Sequence, residues 1–263
     1  MDILWQILIQ FVFRLTFGIA LAMTLTPARL VTSGFYRVHL WVLMGLNTFA
    51  ALGLFVNRAV FAEQFVSWSA TFIVAIVAAV FSYVGAVIWL YERKDIGFFV
   101  LVALTAIGFG GAVLATPWGT QEELNLPLTL CNVVSAGLLL GVTMTAMLLG
   151  HWYLNTPTME LLPLQRLVWL MAVAVALRIA VCGFGLAMVG TSGNGADTTF
   201  WIFVAFRWLS GLLGTGAMAW MTWNVLKVPN TQSATGILYA GVILAFLGEL
   251  NSQLLSINYP YPL

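Results

Sequence analysis

The sequence LQRLVWLMAVAVALRIAVCGFGLAMV (164–189), followed after the turn GTSGNG (190–195) by TFWIFVAFRWLSGLLGTGAMAWMTWNVLK (199–227), decides the fold. Both stretches are long enough and apolar enough to cross a bilayer as helices. Arg178 nevertheless lies in the middle of the first stretch, and Arg207 lies well inside the second. An arginine at the centre of a membrane helix costs about 2.5–3.5 kcal/mol on insertion scales, so it is retained where a group inside the bundle pairs with it. We therefore expect a functional site on these two helices.

The composition of the whole chain agrees with a membrane protein. Of its 263 residues, 62% are hydrophobic and only 7% are charged. That balance excludes a soluble domain of this length and predicts an all-α polytopic integral membrane protein embedded in a lipid bilayer. At about 20 residues per crossing, seven to nine helices use up the chain and leave no room for a soluble catalytic domain. The net charge of +1 gives no footprint for binding nucleic acid.

Apolar runs bounded by turn signals predict eight transmembrane helices. They cover residues 3–25, 36–56, 67–91, 97–116, 128–154, 164–189, 199–227 and 235–257. The connections between them are short, so successive helices are expected to be antiparallel neighbours.

The basic residues of alternate loops predict the orientation of the chain. One set of loops holds Arg29, Arg37, Arg93, Lys94, Arg166 and Lys227, and the other set holds Arg58. Because Lys and Arg accumulate in loops on the cytoplasmic side, both termini are expected outside. We expect the membrane to be the bacterial inner membrane.

An offset of about 128–130 positions indicates an internal repeat. It aligns Thr26-Pro27 with Thr156-Pro157, Arg37 with Arg166, Trp41 with Trp169, Thr71-Phe72 with Thr199-Phe200, and Ser82 with Ser210. Two four-helix units, 1–127 and 128–263, would then share one orientation as parallel repeats do. The alternative is a coincidence among residues that are common in membrane helices.

Four charged residues lie at similar predicted depths inside the helices: Arg14, Arg178, Arg207 and Glu249. Three cations and one carboxylate leave a formal excess of +2, which a low-dielectric interior resists unless an anion or strong dipoles compensate it. The candidate dipoles are Asn251, Gln253, Asn47 and Ser210.

This charged layer has two interpretations. In the first, Glu249 pairs with Arg207 or Arg178 as an interhelical contact, and the remaining arginines bond to carbonyls at kinks. In the second, Arg14, Arg178, Arg207, Glu249 and Asn251 bind a ligand that carries an anionic or carbonyl group. That ligand could be a quinone head group, a haem propionate or a transported anion.

The two histidines of the chain are His39, at the start of the second predicted helix, and His151, near the end of the fifth. The predicted topology places both at the inner edge of the membrane. Two imidazoles at equal depth on different helices satisfy the requirement for axial ligation of a b-type haem. The alternative is that each histidine bonds to lipid head groups or to a loop carbonyl, as is common in the aromatic belt.

These features predict a membrane subunit of an electron-transfer assembly that handles a quinone or haem b and works with other membrane or peripheral subunits. Two four-helix units resemble, in architecture alone, the membrane anchors of quinone-linked oxidoreductases. The alternatives are a small-anion or proton-coupled transporter and a structural subunit without a ligand. No phosphate loop, nucleophile elbow or zinc-protease motif occurs in the sequence, so hydrolytic and nucleotide-driven roles have no support. Whether the chain is itself an enzyme stays open.

Overall fold

The chain is helical almost throughout. A computed structural model describes residues 2–64, 67–116, 126–156, 158–191, 197–228, 230–259 and 261–263. Those ranges contain no strand. Eight of the helices in them are long and apolar enough to cross a membrane. The all-α class is thereby confirmed, and the number of helices long and apolar enough to cross a membrane equals the predicted number.

The chain divides into two compact units, residues 1–123 and 124–263. The boundary predicted between residues 127 and 128, the parallel repeat and the orientation of the chain stay predictions.

The first unit contains four membrane-length helices and one short helix. They are α1 (Asp2–Leu25), α2 (Ser33–Val56), the short α3 (Arg58–Gln64), α4 (Trp68–Leu90) and α5 (Lys94–Leu114). The neighbours among the long helices are α1 and α2, α2 and α4, α4 and α5, and α5 and α1. The four long helices therefore form a closed bundle.

Glycines set the closest approach in this bundle. The Cβ of an alanine at Gly111 on α5 would lie 2.3 Å from the ring of Phe13 on α1, and one at Gly108 would lie 2.8 Å from the backbone nitrogen of Phe17. Small residues at helix crossings let membrane helices gain van der Waals contact where the hydrophobic effect offers little. The α1–α5 contact therefore depends on these two glycines.

The second unit contains four crossings of membrane length. They are α6 (Leu126–Asn155), α7 (Leu162–Thr191), the continuous crossing formed by α8 (Thr198–Phe206), a π-helix (Arg207–Gly214) and α9 (Thr215–Val225), and finally α10 (Thr231–Asn258). The closest neighbours are α6 with α7, α7 with α9, α9 and the π-helix with α10, and α10 with α6.

Two features of this unit differ from the prediction. The sequence predicted a regular helix over residues 199–227, whereas eight residues in its middle form a π-helix. The last crossing begins at Thr231 instead of residue 235, because the side chain of Asn230 accepts a hydrogen bond from the backbone nitrogen of Ser233 at 2.9 Å and caps the helix.

Several predicted connections lie outside the described residues. They include most of the turn at 190–195, the loop with Trp118, Glu122 and Glu123, and the turn prolines Pro157 and Pro229. What the sequence indicates about these connections stays a prediction.

Two adjacent glycines of α5 test the packing of the first unit. Gly111→Ala should lower the free energy of unfolding by about 1–3 kcal/mol, because its methyl group would overlap the ring of Phe13. Gly110→Ala is the matched control, since a Cβ there meets nothing within 4 Å. Thermal unfolding in detergent micelles measures both variants. Equal midpoints for the two variants would contradict the described α1–α5 contact.

Candidate functional site

Glu249 on α10 is the centre of a buried charged cluster in the second unit. Arg178 on α7 donates from Nε to its Oε1 and from Nη2 to its Oε2, both at 2.9 Å. Arg207, the first residue of the π-helix, donates from Nη2 to the same Oε1 at 2.5 Å. All three side chains are 0% exposed. The predicted pairing is therefore confirmed, and the carboxylate is shared by both arginines.

The remaining donors of Arg178 meet polar side chains of α6 and α10. Its Nη1 donates to Oδ1 of Asn132 at 2.6 Å and to Oγ of Ser135 at 3.2 Å. Its Nη2 also reaches Oγ of Ser252 at 3.1 Å. Every nitrogen of this guanidinium thus has an acceptor, which is how a buried arginine is made tolerable in a low-dielectric interior.

The guanidinium of Arg207 lies where two helices almost touch. A Cβ at Gly211 would lie 2.2 Å from Nη1 of Arg207, and one at Gly248 would lie 2.3 Å from Cα of Gly211. Only glycine fits at both positions without moving the arginine or the helices. The π-helix and α10 thus approach closely, and the arginine fills the space beside the two glycines.

Arg207 is less completely bonded than Arg178. Its Nε donates to the backbone oxygen of Leu263 at 3.4 Å, and its Nη2 lies 3.7 Å from Sγ of Cys182. Within the described part of the chain, its Nη1 has no hydrogen-bond partner. A buried arginine with an unused N–H group can donate a hydrogen bond to a further oxygen ligand.

The π-helix and α10 are also joined by Asn251. Its Nδ2 donates to the backbone oxygen of Phe203, in the last turn of α8, at 2.7 Å. The backbone hydrogen-bond pattern changes where an α-helix passes into a π-helix, and the amide of Asn251 bonds to a backbone oxygen at this junction. The Oδ1 of Asn251 and both polar atoms of Gln253 are buried without a hydrogen-bond partner among the residues described.

Ser210 lies on the π-helix, and Asn47 and Arg14 lie on helices of the first unit. The hydroxyl of Ser210 bonds to its own helix, at the oxygen of Phe206, and the amide of Asn47 donates to Thr16 Oγ1 at 3.1 Å in the first unit. Arg14 is 3% exposed on α1, also in the first unit. The layer that was predicted to contain all four charges therefore has three members in the second unit, and the role of Arg14 as a ligand-binding residue stays a prediction.

The two histidines belong to different units. Nδ1 of His39 on α2 lies 2.5 Å from the oxygen of Phe35, and the two rings are in contact with centroids 4.3 Å apart. His151 on α6 is exposed, and its Nδ1 lies 3.2 Å from the hydroxyl of Tyr239. A metal-ligating histidine commonly bonds through its other ring nitrogen to a carbonyl or a similar group. Haem ligation by these two residues stays a prediction.

The charge of the cluster is unbalanced. Two guanidinium groups and one carboxylate, all with 0% side-chain exposure, leave a formal excess of one positive charge. In a medium of low dielectric constant this excess favours an oxygen ligand that carries negative charge or develops it.

Comparisons of this chain with families of known proteins, with curated proteins and with solved structures find no match.

Sequence reasoning missed the groups that complete the cluster. Asn132 and Ser135 are three residues apart on α6, the spacing that places two side chains on one helix face. That spacing within an apolar helix is a signal that could have identified them. Ser252 carries a similar signal, since it lies three residues after Glu249 on α10. The π-helix and the contact of Leu263 have no comparable signal, because they depend on how the helices pack.

Substitutions of the three charged residues should lower the free energy of unfolding by different amounts, in a defined order. Glu249→Gln leaves two cations facing each other and should cost about 3–5 kcal/mol of unfolding free energy. Arg178→Leu should cost less, because a neutral pair remains while Asn132 and Ser135 lose their donor. Arg207→Leu should cost least, since the bidentate Arg178–Glu249 pair is retained. Unfolding midpoints in detergent micelles give the order.

Ser210→Ala is the control for this series, since the hydroxyl of Ser210 bonds only within its own helix and is exposed. It should leave the midpoint nearly unchanged. The double variant of Glu249→Gln with Arg207→Leu should be more stable than Glu249→Gln alone, because one stranded cation is removed. Additive losses in that double variant would contradict the shared carboxylate.

Proposed function

We propose that this chain is a membrane subunit of an electron-transfer assembly and that the Arg178–Glu249–Arg207 cluster binds the head group of a quinone. The assembly would include other membrane or peripheral subunits, and its membrane would be the bacterial inner membrane. The eight apolar helices support a multi-pass membrane location.

The observation that carries this proposal is the state of Arg207. It is fully buried, it shares its carboxylate partner with a second arginine, and its Nε donates to the main-chain oxygen of Leu263 at 3.4 Å. A buried cation with this bonding is suited to a neutral carbonyl group that becomes negative on reduction. A quinone carbonyl has this property, and its apolar ring and chain are compatible with the surrounding helices.

Reduction of a quinone places negative charge on its carbonyl oxygen. The excess positive charge of the cluster would stabilise that oxygen more strongly than it stabilises the neutral carbonyl. Glu249 keeps the two arginines in place without neutralising both of them. The cluster would therefore bind the reduced or partly reduced head group more tightly than the oxidised one.

The second candidate function is transport of a small anion, with Glu249 as a proton carrier. The observation in its favour is the polar face of α10, where Asn251 and Gln253 are buried and have side-chain atoms without partners in the described ranges. Such groups could line a path for an ion or water. A haem b subunit with His39 and His151 as ligands, and a structural subunit, are the remaining alternatives.

Binding of decylubiquinone to the purified protein in detergent tests the proposal. Saturable binding at one site per chain is expected, and Arg207→Leu should weaken it at least about tenfold, the effect of losing one hydrogen bond from a charged donor. Arg166→Leu is the matched control, since Arg166 is exposed on the same helix as Arg178. It should leave the affinity unchanged.

Three further outcomes separate the alternatives. Decanoate binding as tightly as decylubiquinone would indicate a site for carboxylates and contradict the quinone. Flux of chloride or sulfate in liposomes, without quinone binding, would favour the transporter. A haem absorption band that disappears in His39→Ala, again without quinone binding, would favour the haem b subunit.

A further inference from the structure

Thr215, the first residue of α9, has a buried hydroxyl without a partner. Its side chain is 0% exposed, and among the residues that the structure describes no group bonds to its Oγ1. Two other buried threonines of this unit bond within their own helices. Thr222 donates to the backbone oxygen of Met218 and Thr235 to that of Thr231, both at 2.7 Å. A buried hydroxyl without a partner lowers the stability of the folded chain, so it indicates a group that bonds to something else.

The unused nitrogen of Arg207 lies close to Thr215 on the same crossing. A Cβ at Gly211 would lie 2.2 Å from Nη1 of Arg207. Thr215 follows Gly211 by four residues, and β-carbons at this spacing are neighbours about 5–6 Å apart on the helix surface. Side chains of a helix also lean towards the preceding turn, which for Thr215 is the turn of Gly211. Nη1 and the hydroxyl therefore lie on one stripe of the crossing.

The spacing of these two donors suits a single oxygen atom. Hydrogen bonds from N–H and O–H groups to oxygen are about 2.7–3.0 Å long, so two donors to one oxygen lie up to about 6 Å apart. The helical spacing places Nη1 and the hydroxyl at about this separation. Because Gly211 has no side chain, the guanidinium can lie close against the helix and within this reach of Thr215.

The groups beside Thr215 are apolar. A Cβ at Gly214 would lie 3.1 Å from the side chain of Leu244 on α10, and one at Gly216 would lie 3.4 Å from that of Val175 on α7. In surroundings of low dielectric constant a donor bonds to an acceptor more strongly than in water. The excess positive charge of the buried cluster then favours an acceptor that is negative or becomes so.

We infer that Oγ1 of Thr215 and Nη1 of Arg207 bind the same carbonyl oxygen of the quinone. This inference rests on the proposed function. Two donors that converge on one oxygen stabilise that oxygen as it acquires negative charge. Arg207 supplies a charged donor and Thr215 an uncharged one. Thr215 is thus a further binding residue of the head group, next to the three charged residues.

Thr215→Val tests this role, because valine has nearly the shape of threonine and lacks the hydroxyl. The affinity for decylubiquinone should fall about three- to tenfold, the effect of losing one hydrogen bond from an uncharged donor. The unfolding midpoint without quinone should be unchanged or higher, since in the described ranges the hydroxyl bonds to no other group. Thr215→Ser retains the hydroxyl and should keep the wild-type affinity.

Two other threonines provide matched controls. Thr222→Val changes a hydroxyl that is 0% exposed on the same helix and bonds to a backbone oxygen. Thr143→Val removes a hydroxyl on α6 that is also 0% exposed and has no partner within the described ranges. Both variants should bind decylubiquinone as the wild type does. Thr143→Val thereby separates the loss of this particular hydroxyl from the loss of any unpaired one.

A double variant shows whether the two donors share one oxygen. In an Arg207→Leu protein, Thr215→Val should weaken the binding of decylubiquinone by a smaller factor than in the wild type, because groups that hold the same atom are coupled. Equal factors in the two backgrounds would mean that the donors act independently, which would overturn the inference.

The outcomes separate this inference from the proposed function. Binding that is weakened by Arg207→Leu and not by Thr215→Val would overturn the inference and leave the proposed function standing. A loss of affinity in Thr215→Val that Thr215→Ser also shows would assign the effect to packing and overturn it too. So would a lower midpoint of Thr215→Val without quinone, because the hydroxyl would then already be bonded. If the wild-type protein shows no saturable binding of decylubiquinone, the proposed function is wrong and the inference is wrong with it.

Discussion

The sharing of one buried carboxylate by two buried arginines is the interaction on which the second unit depends. Arg178 and Arg207 come from different crossings, and Glu249 comes from a third, so their bonds tie three helices together at one depth. None of the three charges is tolerable alone in an apolar interior, and removing the carboxylate affects both cations at once. The arrangement of these three helices is therefore constrained by charge as well as by apolar packing.

The local backbone is adapted to that interaction. The π-helix begins at Arg207, the glycines at 211 and 248 allow it to approach α10, and Asn251 bonds to the carbonyl of Phe203. A π-helix is rare and is frequently found at functional sites. Its position at Arg207 links the distortion of the helix to the placement of one guanidinium. The same arginine also bonds to the main-chain oxygen of Leu263.

Much of this arrangement follows from the sequence. Eight apolar runs predict eight crossings, because a bilayer requires helices of a nearly fixed length. The pairing of Glu249 with an arginine follows from the cost of burying either group alone. The partners Asn132, Ser135 and Ser252 were missed although their helical spacing indicates a shared face. The π-helix and the contact of Leu263 with Arg207 do not follow from the sequence, because each depends on which helix faces meet. The parallel repeat, the orientation and the roles of Arg14, His39 and His151 remain predictions from the sequence.

The central claim is that Glu249 is an ionised carboxylate shared by two arginines. Infrared spectroscopy of the purified protein, with glutamate carrying carbon-13 in its carboxyl group, tests it most directly. The difference between wild-type protein and Glu249→Gln should show the loss of an ionised carboxylate band and no loss of a protonated carboxyl band. Loss of a protonated carboxyl band instead would contradict the shared ion pair and the excess positive charge on which the proposed quinone site rests.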